Sequence, residues 1–261
     1  DTFTVAKDNG AFKQNVDITS GGNDTLNYDS GNSVFTGNLV GGGAGDTVQF
    51  TGIGGGTVDV KGVNGGAKMG PKAVSFSNTA VDATMTVVQH NDFTIPFTNT
   101  GNGGGTQTIR FSTDGTATGD IGIEQYFLGA DGTNTNNFTV GIIGQNVTGL
   151  GDNDTVINPF GGLSGVLKGG GNTATGDTLI LGAANTTLAA GSGEFENLML
   201  TVTNGTVTSD RAAHNDFTGV INAPGTNNTY TVNDNVGGTL TGLAQFENYT
   251  LVSTLLGFSF T

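Results

Sequence analysis

The chain of 261 residues contains no cysteine and no tryptophan, and it has only 4 prolines and 8 basic residues. Without thiols it has neither disulfide staples nor thiolate metal ligands, so its stability must come from repetitive backbone pairing and a continuous core. Against 22 acidic residues the few Lys and Arg leave a formal charge of −14. That balance argues against nucleic acid or an anionic membrane surface as partner, because phosphate contacts need clustered cations. No apolar run approaches the ~18 residues of a membrane-crossing helix, so no membrane span is expected. No basic segment followed by an apolar one opens the chain at Asp1, so if the protein is exported its leader has been removed. Charged residues make up only 11% and hydrophobic residues 34%, a poor match to a disordered chain. Segments mixing Ala, Leu, Glu and Lys, which favour helix, are also scarce.

What is abundant is glycine, with 47 residues, together with 16 Phe and many Val and Thr. The glycines lack the strict triplet of collagen. Val, Thr and Phe suit a half-buried pleated surface. They fall in short runs of period two bounded by Gly, Asn, Asp and Ser, which is the signature of strands. Such runs are Thr47–Phe50, Thr57–Val60, Ala73–Phe76, Met85–Val88, Thr108–Phe111, Asp177–Leu181, Leu198–Val202 and Tyr230–Val232. The nearest approach to a helical segment is Asp120–Leu128, which is interrupted by Gly122.

Internal repeats sharpen the reading. Gly176–Leu181 leads to Phe195-Glu196-Asn197-Leu198-Met199-Leu200, and Asn227–Val232 leads at the same spacing to Phe246-Glu247-Asn248-Tyr249-Thr250-Leu251. A weaker copy runs from Thr108–Phe111 to Ile123-Glu124-Gln125-Tyr126-Phe127-Leu128. The pentapeptide His-Asn-Asp-Phe-Thr occurs at His90–Thr94 and His214–Thr218 and contains both histidines of the chain. Asp-Thr followed by an aliphatic residue recurs at Asp24, Asp46, Asp154 and Asp177. Solenoid coils need roughly 20 to 25 residues, so a unit of about 51 reads as two coils.

The expected fold is therefore all-β, a parallel β-solenoid spanning 1–261 as one repetitive domain, with soft breaks near 99–105 and 161–172. The competing architecture is a set of antiparallel β-sandwich repeats. Its best support is Asn204-Gly205 between two strand runs, which reads as a hairpin turn.

The Phe-Glu-Asn-x-x-Leu units at Phe195 and Phe246 resemble repeats of bacterial surface β-helix proteins, namely autotransporter passengers and filamentous-haemagglutinin-type adhesins. The resemblance covers roughly residues 106–253 and implies a right-handed parallel β-helix displayed outside the cell, with adhesion or matrix formation as its role. Nothing in the chain resembles an autotransporter membrane barrel. Gly21–Leu26, Gly43–Val48 and Gly151–Val156 are loosely similar to the calcium-binding nonapeptide repeats of secreted toxins and surface-layer proteins. That second resemblance implies calcium as cofactor, held by Asp24, Asp46, Asp152 and Asp154. The copies are not in tandem as in true arrays, and each Asp also suits a turn cap that accepts backbone N–H groups.

Two further constellations carry chemistry. His90 and His214 lie in a repeat, which places them at equivalent coil positions in a file, and neither has a neighbour at metal-ligand spacing; a turn role with Phe93 and Phe217 buried is expected. Glu194 and Glu196 lie two apart, on one face if in a strand, which invites glycoside chemistry. In the second copy Gln245 replaces Glu194, so structural repetition is the favoured reading and no enzyme activity is expected. The Asn-x-Ser/Thr sequons, such as Asn137 and Asn146, follow from the abundance of Asn and Thr. Asp1–Val5 and Leu255–Phe260 carry neither Pro nor clustered charge, so pairing with another copy through terminal strands is expected. Together these features predict an extracellular structural protein: an adhesin segment or a self-assembling filament or lattice subunit, with glycans or a cell surface as partners. The alternative is a carbohydrate-binding or polysaccharide-degrading β-helix.

Overall fold

The computed structural model describes residues 1–5, 16–18, 22–28, 39–41, 47–50, 57–59, 73–76, 82–92, 98–99, 106–129, 135–171, 176–234, 237–253 and 258–261. The fold is an all-β parallel solenoid, and it divides into two compact units, Asp1–Gly129 and Ala130–Thr261. In the first unit one sheet stacks Thr2–Val5, Thr25–Tyr28, Thr47–Phe50, Ala73–Phe76 and Thr98–Asn99. A second stacks Thr57–Asp59, Asp82–Met85, Thr108–Phe111 and Gln125–Phe127. Val16–Ile18 pairs with Leu39–Gly41.

The second unit repeats the plan. One sheet stacks Asn137–Thr139, Thr155–Asn158, Thr178–Leu181, Asn197–Leu200 and Ile221–Asn222. Another stacks Gly162–Leu163, Asn185–Thr187, Thr206–Asp210, Thr229–Asn233 and Asn248–Val252. Shorter pairs join Asn146–Thr148 to Leu167–Lys168 and Gly238–Leu240 to Phe258–Phe260. The strand pairings described above are all parallel, so the antiparallel sandwich is excluded as the architecture of those residues.

Alternation explains the core. Because side chains alternate faces along a strand, register stacking puts like residues in columns. Phe138, Val156, Leu179 and Leu198 form one such buried column, and Ala83, Ile109 and Tyr126 form another. The recurrent Asp-Thr dipeptides have the same origin: Thr25 pairs with Thr47, and Thr155 with Thr178, so each dipeptide starts the next rung of one column.

Three expectations are corrected. Asn204-Gly205 is a corner and not a hairpin: Asn197–Leu200 and Thr206–Asp210 lie in different sheets, and Asn204 adopts φ 56°. Its side-chain oxygen then accepts from Thr226 and Asn227 N–H of the following coil, at 3.1 and 3.2 Å. The repeat of about 51 residues is two coils plus one face, since Thr178 pairs with Asn197 in one sheet while Thr229 pairs with Asn248 in another. Finally, the run Met85–Val88 leaves the sheet after Met85 and enters a short helix, Val87–Asp92. Thr86 and Gln89 bond reciprocally, Gln89 N to Thr86 Oγ1 at 3.1 Å and Thr86 N to Gln89 Oε1 at 2.8 Å, a capping box that starts the turn. The segment Asp120–Leu128 holds a turn and the strand Gln125–Phe127 instead of helix. Among the described residues no helix is long and apolar enough to cross a membrane.

Candidate functional site

Both histidines sit at helical corners. His90 belongs to Val87–Asp92, and His214 to Arg211–Asp216, whose first turn is capped by Asp210 Oδ1 accepting from Ala213 N at 2.9 Å. Phe217 is buried behind the second corner, while Phe93 and Thr94 lie outside the described residues. Both imidazoles are almost wholly buried. Each Nδ1 faces the Oδ1 of the next residue, Asn91 at 3.2 Å and Asn215 at 3.1 Å. At the first corner Asn91 Nδ2 donates to the Thr116 carbonyl at 2.8 Å, which fixes the amide orientation and makes His90 Nδ1 a donor.

The two corners differ at Nε2. His90 Nε2 lies 3.1 Å from Asp120 Oδ2 and 3.1 Å from the Tyr126 hydroxyl, and the same hydroxyl accepts from Asp120 N at 2.9 Å. His214 Nε2 is buried with no hydrogen-bond partner. The strand residue equivalent to Tyr126 is Tyr249, whose hydroxyl accepts from Leu243 N. Asp120 and Leu243 each stand six residues before that tyrosine, so Leu243 occupies the place of the carboxylate that engages His90. Tyr230 packs its ring edge-on to His214 at 4.9 Å, and Tyr249 does so at 5.9 Å. Burial lowers the His214 titration below its ordinary value, with the Asn215 contact opposing it. Burial also raises Tyr126, Tyr230 and Tyr249, so these hydroxyls stay protonated.

Each corner opens on a cleft. About 330 Å³ lies beside His90, Asn91, Thr116, Thr118 and Asp120. About 570 Å³ lies beside His214, Asn215, Phe217, Thr241 and Leu243. The first is polar and hydroxyl-lined; the second is partly apolar, with Phe217, Ile221 and Leu243 in its wall and Leu243 where Asp120 stands in the first. The signal for this pairing was in the sequence: aligning Ile123-Glu124-Gln125-Tyr126 with Phe246-Glu247-Asn248-Tyr249 sets Asp120 against Leu243.

The acidic candidates are distributed over other corners. Asp152 and Asp154 are brought into one buried turn. Asp154 Oδ1 accepts from Asn136 Nδ2 at 2.8 Å, and its Oδ2 is shut away from water against Gly149. Any Cβ at Gly149 would collide with that oxygen and with the Gly169 carbonyl, so the close approach requires glycine. Burial, with a smaller push from Asp152, raises the Asp154 carboxyl to about 6 despite the Asn136 hydrogen bonds. Asp24 Oδ1 accepts from the Asp1 amine at 2.6 Å. Asp46 lies outside the described residues. Among the described residues no three His, Asp or Glu side chains gather as a metal cluster. Calcium takes six to eight oxygens; the contacts seen at these carboxylates are the Asp1 amine on Asp24 and the Asn136 amide on Asp154, each reaching across to a neighbouring coil.

The repeated glutamates have a single geometric task. Glu196 Oε2 accepts from Asp177 N at 2.8 Å, Glu247 Oε2 from Asn228 N at 2.9 Å, and Glu124 Oε2 from Gln107 N at 2.7 Å. Asp177 Oδ1 does the same for Asp154 N at 2.6 Å, and Asn228 Oδ1 for Gly205 N at 3.1 Å. Each is the residue at a strand entry, and each closes the backbone donor at the entry one coil back. Glu194, by contrast, is an exposed corner residue at φ 63° with Oε1 3.1 Å from Lys168 Nζ. Glu194 and Glu196 are thus not a facing pair on one strand. No family model, curated protein or solved structure matches the chain.

Proposed function

We propose that the chain is a non-catalytic structural protein of a cell surface, an adhesin segment or a subunit of a filament or lattice, working through assembly outside the cell. The observation that carries this reading is the commitment of its reactive side chains to stacking: Glu124, Asp177, Glu196 and Glu247 each hold the neighbouring coil by a backbone hydrogen bond. The resemblance of the Phe-Glu-Asn units to bacterial surface β-helix repeats points the same way. Among the described residues Asn248–Val252 is the outer strand of its sheet and carries exposed Leu251 and Val252, which is where another rung would add. A second reading, carbohydrate binding, rests on the polar cleft at His90, Thr116, Thr118 and Asp120.

The test is light scattering and electron microscopy of purified protein across concentration, with and without a calcium chelator, alongside polysaccharide pull-down and depolymerisation assays. Concentration-dependent polymers support assembly, and their loss with chelator would implicate a cation shared by carboxylates such as Asp152 and Asp154. A monomer at every concentration that shortens a polysaccharide overturns the proposal.

A further inference from the structure

The duplicated corners provide an internal comparison. At His90 the second ring nitrogen meets a carboxylate and a phenol; at His214 it meets neither. Of the two groups that meet Nε2 at His90, the phenol is retained as Tyr249, and the carboxylate is replaced by Leu243. We infer that the corner of His214, Leu243 and Tyr249 is an acid-sensitive latch, closed around a neutral imidazole and opened when that imidazole is protonated.

The surroundings leave a second proton without an acceptor. On its own helix His214 meets Asn215, whose Oδ1 already takes the Nδ1 proton. Asp210 is occupied with the Ala213 N–H, and Asp216 Oδ2 accepts from Glu194 N at 2.6 Å. From the next strand comes Tyr230, whose hydroxyl is held by Ser209 Oγ at 2.9 Å. From the strand after that comes Tyr249, with its hydroxyl on Leu243 N. Arg211 pairs with Asp234 at 3.4 Å. Burial lowers the His214 titration, and the Asn215 hydrogen bond opposes that shift.

An imidazolium here must find water, since a buried charge without a partner is far costlier than a buried neutral ring. The nearest space is the cleft of about 570 Å³ formed by Phe217, Thr218, Ile221, Thr239, Thr241 and Leu243. His214 itself borders that cleft yet is almost wholly buried, so admitting water to Nε2 moves the 241–247 loop, whose Leu243 N is bonded to the Tyr249 hydroxyl, away from the helix. Opening therefore loosens the Asn248–Val252 strand that the loop feeds.

The sign follows from the lowered titration. The folded corner prefers the neutral ring, so its contribution is complete above the ordinary value of 6.5 and is lost as the pH falls below it. Asp154 in the same unit has the opposite trend, so a global melting curve would blend the two.

The test is local hydrogen exchange at close intervals from pH 7 to pH 5, corrected for intrinsic rates, on wild type, His214→Gln and Leu243→Asp, with NMR titration of the His214 ring. In wild type, residues 239–251 should exchange at least about tenfold faster at pH 5 while Thr178–Leu181 does not, with a midpoint matching the ring titration. His214→Gln should make the segment insensitive to pH, and Leu243→Asp should restore the acceptor seen at Asp120 and protect it. Equal wild-type protection at both pH values overturns the latch, as does an acid response that persists in His214→Gln or a midpoint away from the ring titration. Should Leu243→Asp fail to fold, wild type and His214→Gln decide.

Discussion

Asp154 shows at the scale of one side chain how the corners use charge. Its carboxylate is buried beside Asp152, and that burial favours the protonated form up to about 6 against an ordinary 3.8. The difference corresponds to roughly 3 kcal/mol between the two protonation states. The raised value means that stability from this group is greatest below pH 3.8 and declines as the pH rises through 6. Asp154→Asn keeps an acceptor for Asn136 and removes the charge. It should therefore raise stability at pH 7 by roughly 1–3 kcal/mol in urea titration, and the gap to wild type should close as the pH falls from 7 to 4. If calcium joins Asp152 and Asp154, the sign inverts in calcium buffer: wild type gains stability and Asp154→Asn does not. Gly149→Ala is expected to be destabilising by roughly 1–3 kcal/mol, because its methyl group would enter the space of the Asp154 carboxylate.

At the scale of an element, the strand entries decide which rung follows which. A parallel pair supplies evenly spaced hydrogen bonds within the ladder, but the N–H at the entry points along the stack and needs its own acceptor. Glutamate reaches it from the adjacent coil at Glu196 and Glu247. Glu196→Ala or Glu247→Ala should each cost about 1–3 kcal/mol in urea unfolding, by leaving the amide of Asp177 or Asn228 without an acceptor. Glu194→Ala loses only its exposed contact with Lys168 and should cost under about 1 kcal/mol. The strands were legible in the sequence because burial alternates with period two, and the columns because Thr, Val and Leu recur at coil spacing. The corners were less legible. A solenoid corner and a hairpin both favour Asn-Gly, so Asn204-Gly205 carries no sign of which it makes. The helical turns at His90 and His214 were hidden for another reason. Their capping pairs, Thr86 with Gln89 and Asp210 with Ala213, are common residues in runs that otherwise alternate like strands. The acceptor role of Glu196 was masked by its apparent pairing with Glu194, which holds only if both residues lie on one strand.

For the molecule as a whole, the opposing quantities are edge pairing and charge. Among the described residues Asn248–Val252 is the outer strand of its sheet and carries exposed Leu251 and Val252, which favours addition of a further rung. A formal charge of −14 per chain opposes it, because approaching copies repel over the Debye length. Assembly should therefore be weak near 10 mM salt and stronger near 150 mM, where that length falls from about 30 to about 8 Å. Screening treats monovalent salts alike, so calcium acting at matched ionic strength would mark site binding and not shielding. Val252→Lys places a cation on the edge without disturbing a buried column, and lysine at an edge discourages pairing. The variant should fold like wild type by circular dichroism yet scatter as a monomer in 150 mM salt under conditions where wild type polymerises. Were Val252→Lys to polymerise as wild type does, the growing surface would have to lie elsewhere than this strand. The buried ladders would then account for the rigidity of each unit but not for how copies join.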